Sequence, residues 1–336
     1  MESNDNHPLD FKSVGNHPSR PQGIGYVIDK GQKGCDHMLT GTRVTIIGGD
    51  ARQLEVIRRL SEMDAAVQII GFDNWECRLS GVRQAELTAE AISRSDAILL
   101  PAVGTDDTGR IDSLFSAKPL VLTEELISAA PAHVHIFTGM AKPYLRKLCE
   151  LHSIRLTELF DRDDVAILNS IPTAEGALMI AVQNTDFTIH GSRSLVLGFG
   201  RTGITMARVL QGLGSKVAVM VRKPEHYARA YEMGFYPFYP NSLADEAIQA
   251  DLIFNTIPSL VLTANVIAKL PAHAFILDLA SKPGGTDFRY AEKRGIKAML
   301  APGLPGIVAP RTAGKIIGET LSQLLTEEQG NGRRPT

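Results

Sequence analysis

The chain has 336 residues, 44% of them apolar and 21% charged, with a formal net charge of −2. That balance gives no electrostatic case for nucleic acid or an anionic membrane as a partner, and the length suits two domains. Three cysteines, Cys35, Cys77 and Cys149, lie far apart with no CxxC pair, which argues for reduced thiols rather than a disulfide framework or a zinc site.

Residues 1–37 are rich in Gly, Pro, Asn and His and keep no period, so they read as a disordered or extraneous leader. Globular sequence begins at "MLTGTRVTIIGG", from Met38. No apolar run approaches the ~18 residues of a membrane span, and the start lacks a signal peptide's apolar region. The expectation is a cytoplasmic protein with no membrane partner.

From Thr42 onward, β-branched runs alternate with amphipathic stretches: "RVTIIGG", "ARQLEVIRRLSEM", "AAVQIIGF", "DAILLPAV", "HVHIFTG", "AKPYLRKLCELH", "IRLTEL". A second round starts at Ser194 with "SLVLGFG", "ITMARVLQGLG" and "KVAVMVR" and closes with "DLIFNTIP", "AFILDLAS" and "IKAMLAPG". Such alternation predicts parallel sheets covered on both faces. The fold class is therefore α/β, with two Rossmann-like doubly wound domains and a cleft between them.

The expected division is a substrate domain over 38–168, a linking helix over 169–186, a nucleotide-binding domain over 187–309 and a last helix over 310–326. The last helix is expected to return to the first domain, and 327–336 to form a disordered tail. Pro172 is expected in the first turn of the linking helix, where a proline is tolerated. The acidic stretch around Asp163 and Asp164 reads as a solvated turn that caps or bridges to the hinge.

In the first round, "IIGGDARQ" (46–53) looks like a nucleotide loop but has no third glycine. Asp50 suits a helix N-cap and would repel pyrophosphate. Arg52 and Lys142 lie at strand ends, where a guanidinium fork or an ammonium would anchor a carboxylate. "PAVGTDDTGR" (101–110) reads as a mobile rim loop, and His133 and His135 as core or surface residues rather than metal ligands; no metal site is expected.

In the second round, Gly198, Gly200 and Gly203 form G-x-G-x-x-G between a strand and a helix. The first permits a tight turn, the second leaves room for pyrophosphate, and the third lets helix and strand approach. Free amides at the helix start would receive the phosphates, which brings in Arg201 and Thr202. The next strand ends in Val221-Arg222-Lys223 where an NAD protein usually carries a carboxylate. Two cations there point to the 2′-phosphate of NADP. Asn255, Thr256, Pro258, Leu279 and Gly303 fall in later loops at the same sheet edge and complete the cofactor set. "APGLPGIVAP" (301–310) reads as a loop because of its Gly and Pro content.

Several stretches together resemble the A-subunit family of dipicolinate synthase from sporulating bacteria: "IGGDARQ", "RDDVAILNSIPTAEGALMIA", "TIHGSRSLVLGFGRTG", "EMGFYP", "FNTIPSLVL", "LDLASKPGGTDF" and "APGLPGIVAPRTAGKII". The similarity runs from about Met38 to Leu325. It implies an NADP-linked enzyme that forms dipicolinate from a dihydrodipicolinate-level precursor, together with a flavoprotein-like B-subunit, in the mother-cell cytoplasm.

A substrate with two carboxylates calls for several cations, and Arg52, Lys142 and Lys282 are the candidates, with Thr173 beside them. Glu175 and Asp278 are candidate proton acceptors, so Glu175, Asp278 and Lys282 form the catalytic set. A D-2-hydroxyacid dehydrogenase has a similar outline but needs a late His as acid/base, and this chain has none after His273. A non-catalytic NADPH-binding regulatory protein is the other alternative, and homo-oligomerisation is left open.

Overall fold

The computed structural model describes residues 38–332; the expected leader lies outside the described residues. Strands β1 (Arg43–Ile47), β2 (Ala66–Ile70), β3 (Val82–Ala85), β4 (Ala97–Leu99), β7 (His135–Thr138) and β8 (Arg155–Glu158) form one parallel sheet, in the order β3-β2-β1-β4-β7-β8. A short antiparallel ribbon, β5 (Arg110–Ile111) with β6 (Leu120–Val121), sits between β4 and β7 in the chain. The helices of this lobe are α1 (Ala51–Glu62), α2 (Ala89–Ser93), α3 (Glu124–Ser128) and α4 (Pro143–Leu151).

A long helix, α5 (Asp163–Asn184), leads to a second sheet ordered β11-β10-β9-β12-β13-β14. Its strands are β9 (Arg193–Leu197), β10 (Lys216–Met220), β11 (Tyr236–Phe238), β12 (Leu252–Asn255), β13 (Phe275–Asp278) and β14 (Lys297–Leu300). Helices α6 (Arg201–Gly212), α7 (Pro224–Glu232), α8 (Leu243–Glu246), α9 (Ala264–Ile267) and α10 (Phe288–Lys293) accompany them, and α11 (Leu304–Val308) and α12 (Pro310–Gly332) end the described chain. Both sheets are doubly wound, as the strand–helix alternation predicts. Four of the five residues in β1 and in β2 are buried, and all four in β12 and in β13 are. Near-continuous apolar strands of this kind belong to sheets covered on both faces.

The two lobes exchange helices. The alanine stripe of α5 (Ala174, Ala177, Ala181) is buried in the core of the second lobe with Val196, Phe254 and Leu277. Ile317, Leu321 and Leu325 of α12 are buried in the core of the first lobe with Val56, Ile57 and Leu60. Gly314 lets α12 approach so closely that a Cβ there would lie 2.9 Å from the Glu55 Cβ.

Four expectations need correction. The linking helix starts at Asp163, nine residues before Pro172, which lies inside it. Asp163 and Asp164 occupy its first turn, where carboxylates favour the helix dipole. Pro172 removes one N–H, but hydroxyls bond carbonyls on either side of the gap: Ser170 Oγ donates to the Ile167 carbonyl at 2.6 Å and Thr173 Oγ1 to that of Asn169 at 2.7 Å. Helix α5 is also long and apolar enough to span a membrane by length and composition, so an apolar run of that size does exist; its small-residue stripe serves the second lobe's core instead.

The expected tail is helical as far as Gly332, and its Glu328 carboxylate meets His135 Nδ1 at 2.7 Å and Arg155 Nη2 at 2.6 Å. Finally, 301–310 contains helix α11. Gly303 supplies a left-handed start (φ 72°), and the proline of its first turn sits where the helix tolerates it.

Candidate active site

At the carboxyl edge of the second sheet the three glycines do three different things. Gly198 takes φ 103°, and a Cβ there would stand 2.5 Å from Thr256 Oγ1. A Cβ on Gly203 would run into the Gly198 carbonyl, so the helix packs onto its own strand. At Gly200 a Cβ would meet nothing within 4 Å, which leaves the approach to α6 open. No side chain caps α6, and the N–H groups of Arg201, Thr202 and Gly203 meet no acceptor among the described residues. Free amides and a positive dipole end facing open space make an anion site. These residues fit a nucleotide pyrophosphate.

Beyond β10, Val221 is buried while Arg222 and Lys223 are exposed. Lys223 is 3.8 Å from Glu225, and Arg222 has no ion pair among the described residues. Thr256 Oγ1 donates to the Leu197 carbonyl at 2.8 Å and ties β12 to the glycine loop. Pro258 and Gly303 are exposed, and Leu279 is half-buried.

Asn255 and Asp278, expected to line the crevice, are instead fully buried. The Asp278 carboxylate accepts from Asn255 Nδ2 (3.0 Å), the Ala280 N–H (3.1 Å), the Gly285 N–H (2.8 Å) and Thr286 Oγ1 (2.7 Å). Four donors occupy the sites a carboxylate offers, so Asp278 braces the 279–286 loop and has no place for a substrate proton. Asn255 likewise holds Ile257 at both ends of its amide. Lys282 is exposed on that loop and does not join Arg52 and Lys142.

The equivalent corner of the first lobe is built differently. Asp50 caps α1, accepting from the Arg52 N–H at 3.0 Å, while Gln53 Oε1 accepts from the Asp50 N–H at 2.9 Å. This reciprocal capping gives a side-chain acceptor to the Arg52 N–H, whose counterpart at Thr202 of α6 has none among the described residues. Asp50 also holds the Arg52 guanidinium at two points, Nε to Oδ1 at 2.9 Å and Nη2 to Oδ2 at 2.6 Å. Burial pushes the Asp50 carboxyl upward, but the bonds and charge of Arg52 outweigh it and hold it below its ordinary value. The Arg52 guanidinium lies against α11: a Cβ on Gly306 would be 2.9 Å from Arg52 Cζ.

Beside it is a cavity of about 570 Å³ lined by Arg52, Thr105, Asp106, Arg110, Lys118 and Lys142, among others. The structure thus brings together two sequence-predicted anchors, Arg52 and Lys142. The 101–110 stretch, expected as a mobile rim, forms one wall and is well braced. Thr138 Oγ1 donates to the Pro101 carbonyl at 2.7 Å, and Asp106 Oδ1 accepts from Thr108 and from the Arg110 N–H. Glu175 is exposed on α5 next to Gly176, which packs on Val308 and Leu304 of α11. Thr173 is half-buried with its hydroxyl turned onto its own helix.

Sequence reasoning missed Thr105, Arg110 and Lys118, because nothing in their spacing signals that one loop and a two-residue ribbon fold over the switch point of the sheet. His133 pairs with Asp96, and among the described residues no cluster suits a metal.

These features define a class: a two-lobed α/β protein with a dinucleotide-type loop in its second lobe and, at the matching corner of its first, a polar cavity where Arg52, Arg110, Lys118 and Lys142 stand among Asp50, Asp106 and Asp112. Residues 43–160 match the family profile of the N-terminal domain of the dipicolinate synthase A-subunit, and residues 155–280 match "D-isomer specific 2-hydroxyacid dehydrogenase, NAD binding domain". The dipicolinate synthase A-subunit of Bacillus subtilis (strain 168) is 47% identical over 292 residues, 87% of this chain and 98% of that protein.

The crystal structure of the A-subunit from Bacillus halodurans is 52% identical with a TM-score of 0.84, covering 86% of this chain and 99% of that one. That of the Bacillus subtilis protein is 46% identical with a TM-score of 0.85, covering 88% and 100%. The chain belongs to the A-subunit family of dipicolinate synthase, which is sporulation-related and oxidoreductase-like, and its second lobe is an NAD(P)-binding domain. The hydroxyacid dehydrogenase reading lacks its acid/base: His273 precedes β13 and pairs with Asp251 at 2.7 Å, at the sheet edge opposite the glycine loop.

Proposed function

We propose that this chain oxidises a dihydrodipicolinate-level precursor to dipicolinate with NADP, acting in the cytoplasm together with a flavoprotein-like B-subunit. The observation that carries this reading is the uncapped start of α6 beneath the open position at Gly200. The amides of Arg201, Thr202 and Gly203 hold the pyrophosphate, with charge-assisted hydrogen bonds in place of water. Arg222 and Lys223 receive the 2′-phosphate, and Pro258, Leu279 and Gly303 flank the path toward the gap between lobes. The bound nucleotide supplies a two-electron hydride acceptor.

The substrate dicarboxylate lies in the polar cavity of the first lobe with Lys142 at its rim, and Arg52 forms the border of that cavity toward α11. Oxidation releases a hydride and a proton, and aromatisation of the ring favours product. Glu175, exposed on α5 beside Gly176, takes the proton in this reading; the protein's share of catalysis is mainly orientation.

Arg222→Asp tests the cofactor assignment. It should weaken NADP(H) about tenfold or more, the worth of roughly one charge-assisted bond, and leave NAD(H) nearly unchanged in fluorescence titration. Equal losses for both nucleotides would refute the phosphate role. Turnover by the purified chain with NADP and dihydrodipicolinate, followed as NADPH formation, separates an enzyme from a regulatory nucleotide-binding protein.

A further inference from the structure

The cations that line the first lobe's cavity are not equivalent, and their partners sort them. Arg52 is neutralised at two points by Asp50, at 2.9 and 2.6 Å, and its guanidinium is wedged against Gly306. Its charge and two of its five N–H donors are already committed to Asp50, which leaves it less to offer a second carboxylate. Lys118 lies 3.3 Å from Glu86. Arg110 and Lys142, by contrast, line the cavity with no ion pair within 4 Å among the described residues; the Lys142 charge reaches Asp106 only from a distance, adding to the hydrogen bonds that hold the Asp106 carboxyl below its ordinary value. The backbone of Arg110 is fixed: its N–H donates to Asp106 Oδ1 at 2.9 Å and β5 pairs with β6. Lys142 sits at the uncapped start of the nine-residue α4, whose free amides add positive potential to the same corner.

A second observation points to a ligand here. Thr105, 2% exposed, is on the same wall, and its hydroxyl has no hydrogen-bond partner among the described residues. The residues on either side of it are braced: Gly104 closes a turn onto Pro101 at 2.9 Å and Asp106 closes the next. A buried hydroxyl left alone in an otherwise braced loop is a cost that a bound acceptor removes.

The geometry points to Arg110 as the residue that takes a carboxylate of the small dicarboxylate, with Lys142 and the Thr105 hydroxyl completing the anion site, while Arg52 is a strut between the lobes. This rests on the dicarboxylate reading above and changes who does the binding. A guanidinium on a rigid two-stranded ribbon meets a carboxylate through two parallel bonds, which favours diacids over monoacids of the same ring.

The test uses the full chain, titrated calorimetrically with pyridine-2,6-dicarboxylate and separately with NADP. Arg110→Gln should weaken the dicarboxylate about tenfold, the scale of one solvent-exposed charge-assisted contact, with Arg110→Lys losing less and NADP affinity unchanged in both. Thr105→Val should weaken the dicarboxylate without lowering the melting temperature, since it removes an unsatisfied hydroxyl and keeps the shape.

Wild-type affinity for the dicarboxylate in Arg110→Gln would overturn the assignment and leave the proposed reaction standing. A wild-type chain that binds NADP but no dicarboxylate would overturn both this site and the substrate half of that reaction. A parallel loss of NADP in Arg110→Gln would overturn it too, by placing Arg110 in the cofactor's site.

Discussion

The two lobes share a strand order and a strand–loop–helix corner at the point where the order reverses, yet they use that corner in opposite ways. In the first, Asp50 and Gln53 close the start of α1 with side chains of their own chain. In the second, Gly200 offers no side chain and the start of α6 stays open. One fold thus holds a sealed helix end beside a polar cavity and an unsealed helix end beside a glycine loop. Sheet topology places a site at each corner, and one or two side chains decide which kind of ligand it suits.

Moving the first lobe's device into the second gives the largest expected effect. Gly200→Asp should cap α6 and set a carboxylate against the pyrophosphate, lowering nucleotide affinity roughly a hundredfold or more, the worth of about two charged hydrogen bonds. Because a Cβ there meets nothing within 4 Å, the urea midpoint should hold or rise. Loss of stability together with binding would break the comparison. Closing the α1–α12 contact comes next: Gly314→Val should cost about 1–3 kcal/mol by overpacking, read as a lower urea midpoint, with NADP affinity retained.

Opening the sealed corner is smaller. Asp50→Ala should cost about 1 kcal/mol for the lost cap, seen in the melting temperature, and should not create nucleotide binding in a lobe that lacks the third glycine.

The smallest effect is one of pH. Burial holds His135 below its ordinary value, against the partial pull of Glu328. On acidification the unfolded chain therefore takes up that proton before the folded one does. The contribution is present above the ordinary histidine value of about 6.5 and is lost as pH falls from there through the lower folded value, because the buried site disfavours the charged ring. His135→Gln should flatten the stability profile between about pH 7 and 5, and an unchanged slope would show that the anchor does not titrate.

Much of this was legible in the residues. The alternating runs gave both sheets, and the spacing of Gly198, Gly200 and Gly203 marked the open helix end, because each position answers to a local steric demand. Asp50 as a cap was equally local. What local rules missed was tertiary. Pro172 reads as a helix start, but packing of the Ala174–Ala181 stripe on the second lobe carries the helix through it. Asp278 has the chemistry of an acid/base and the location of a site residue, yet its partners Gly285 and Thr286 become visible only once the loop folds back. Arg110 and Thr105 carry no motif, and they matter because a ribbon brings them over the corner of the sheet.

The return of α12 has a consequence for how the molecule is made. Ile317, Leu321 and Leu325, synthesised long after β1 and β2, belong to the hydrophobic centre that the first lobe's opening strands must bury. The ribosome therefore delivers the first half of the chain long before that half can finish folding, while the later-made half waits for no distant segment. Order of birth and order of completion run in opposite directions, and the early strands must pass that interval without the layer that shields them from unwanted association.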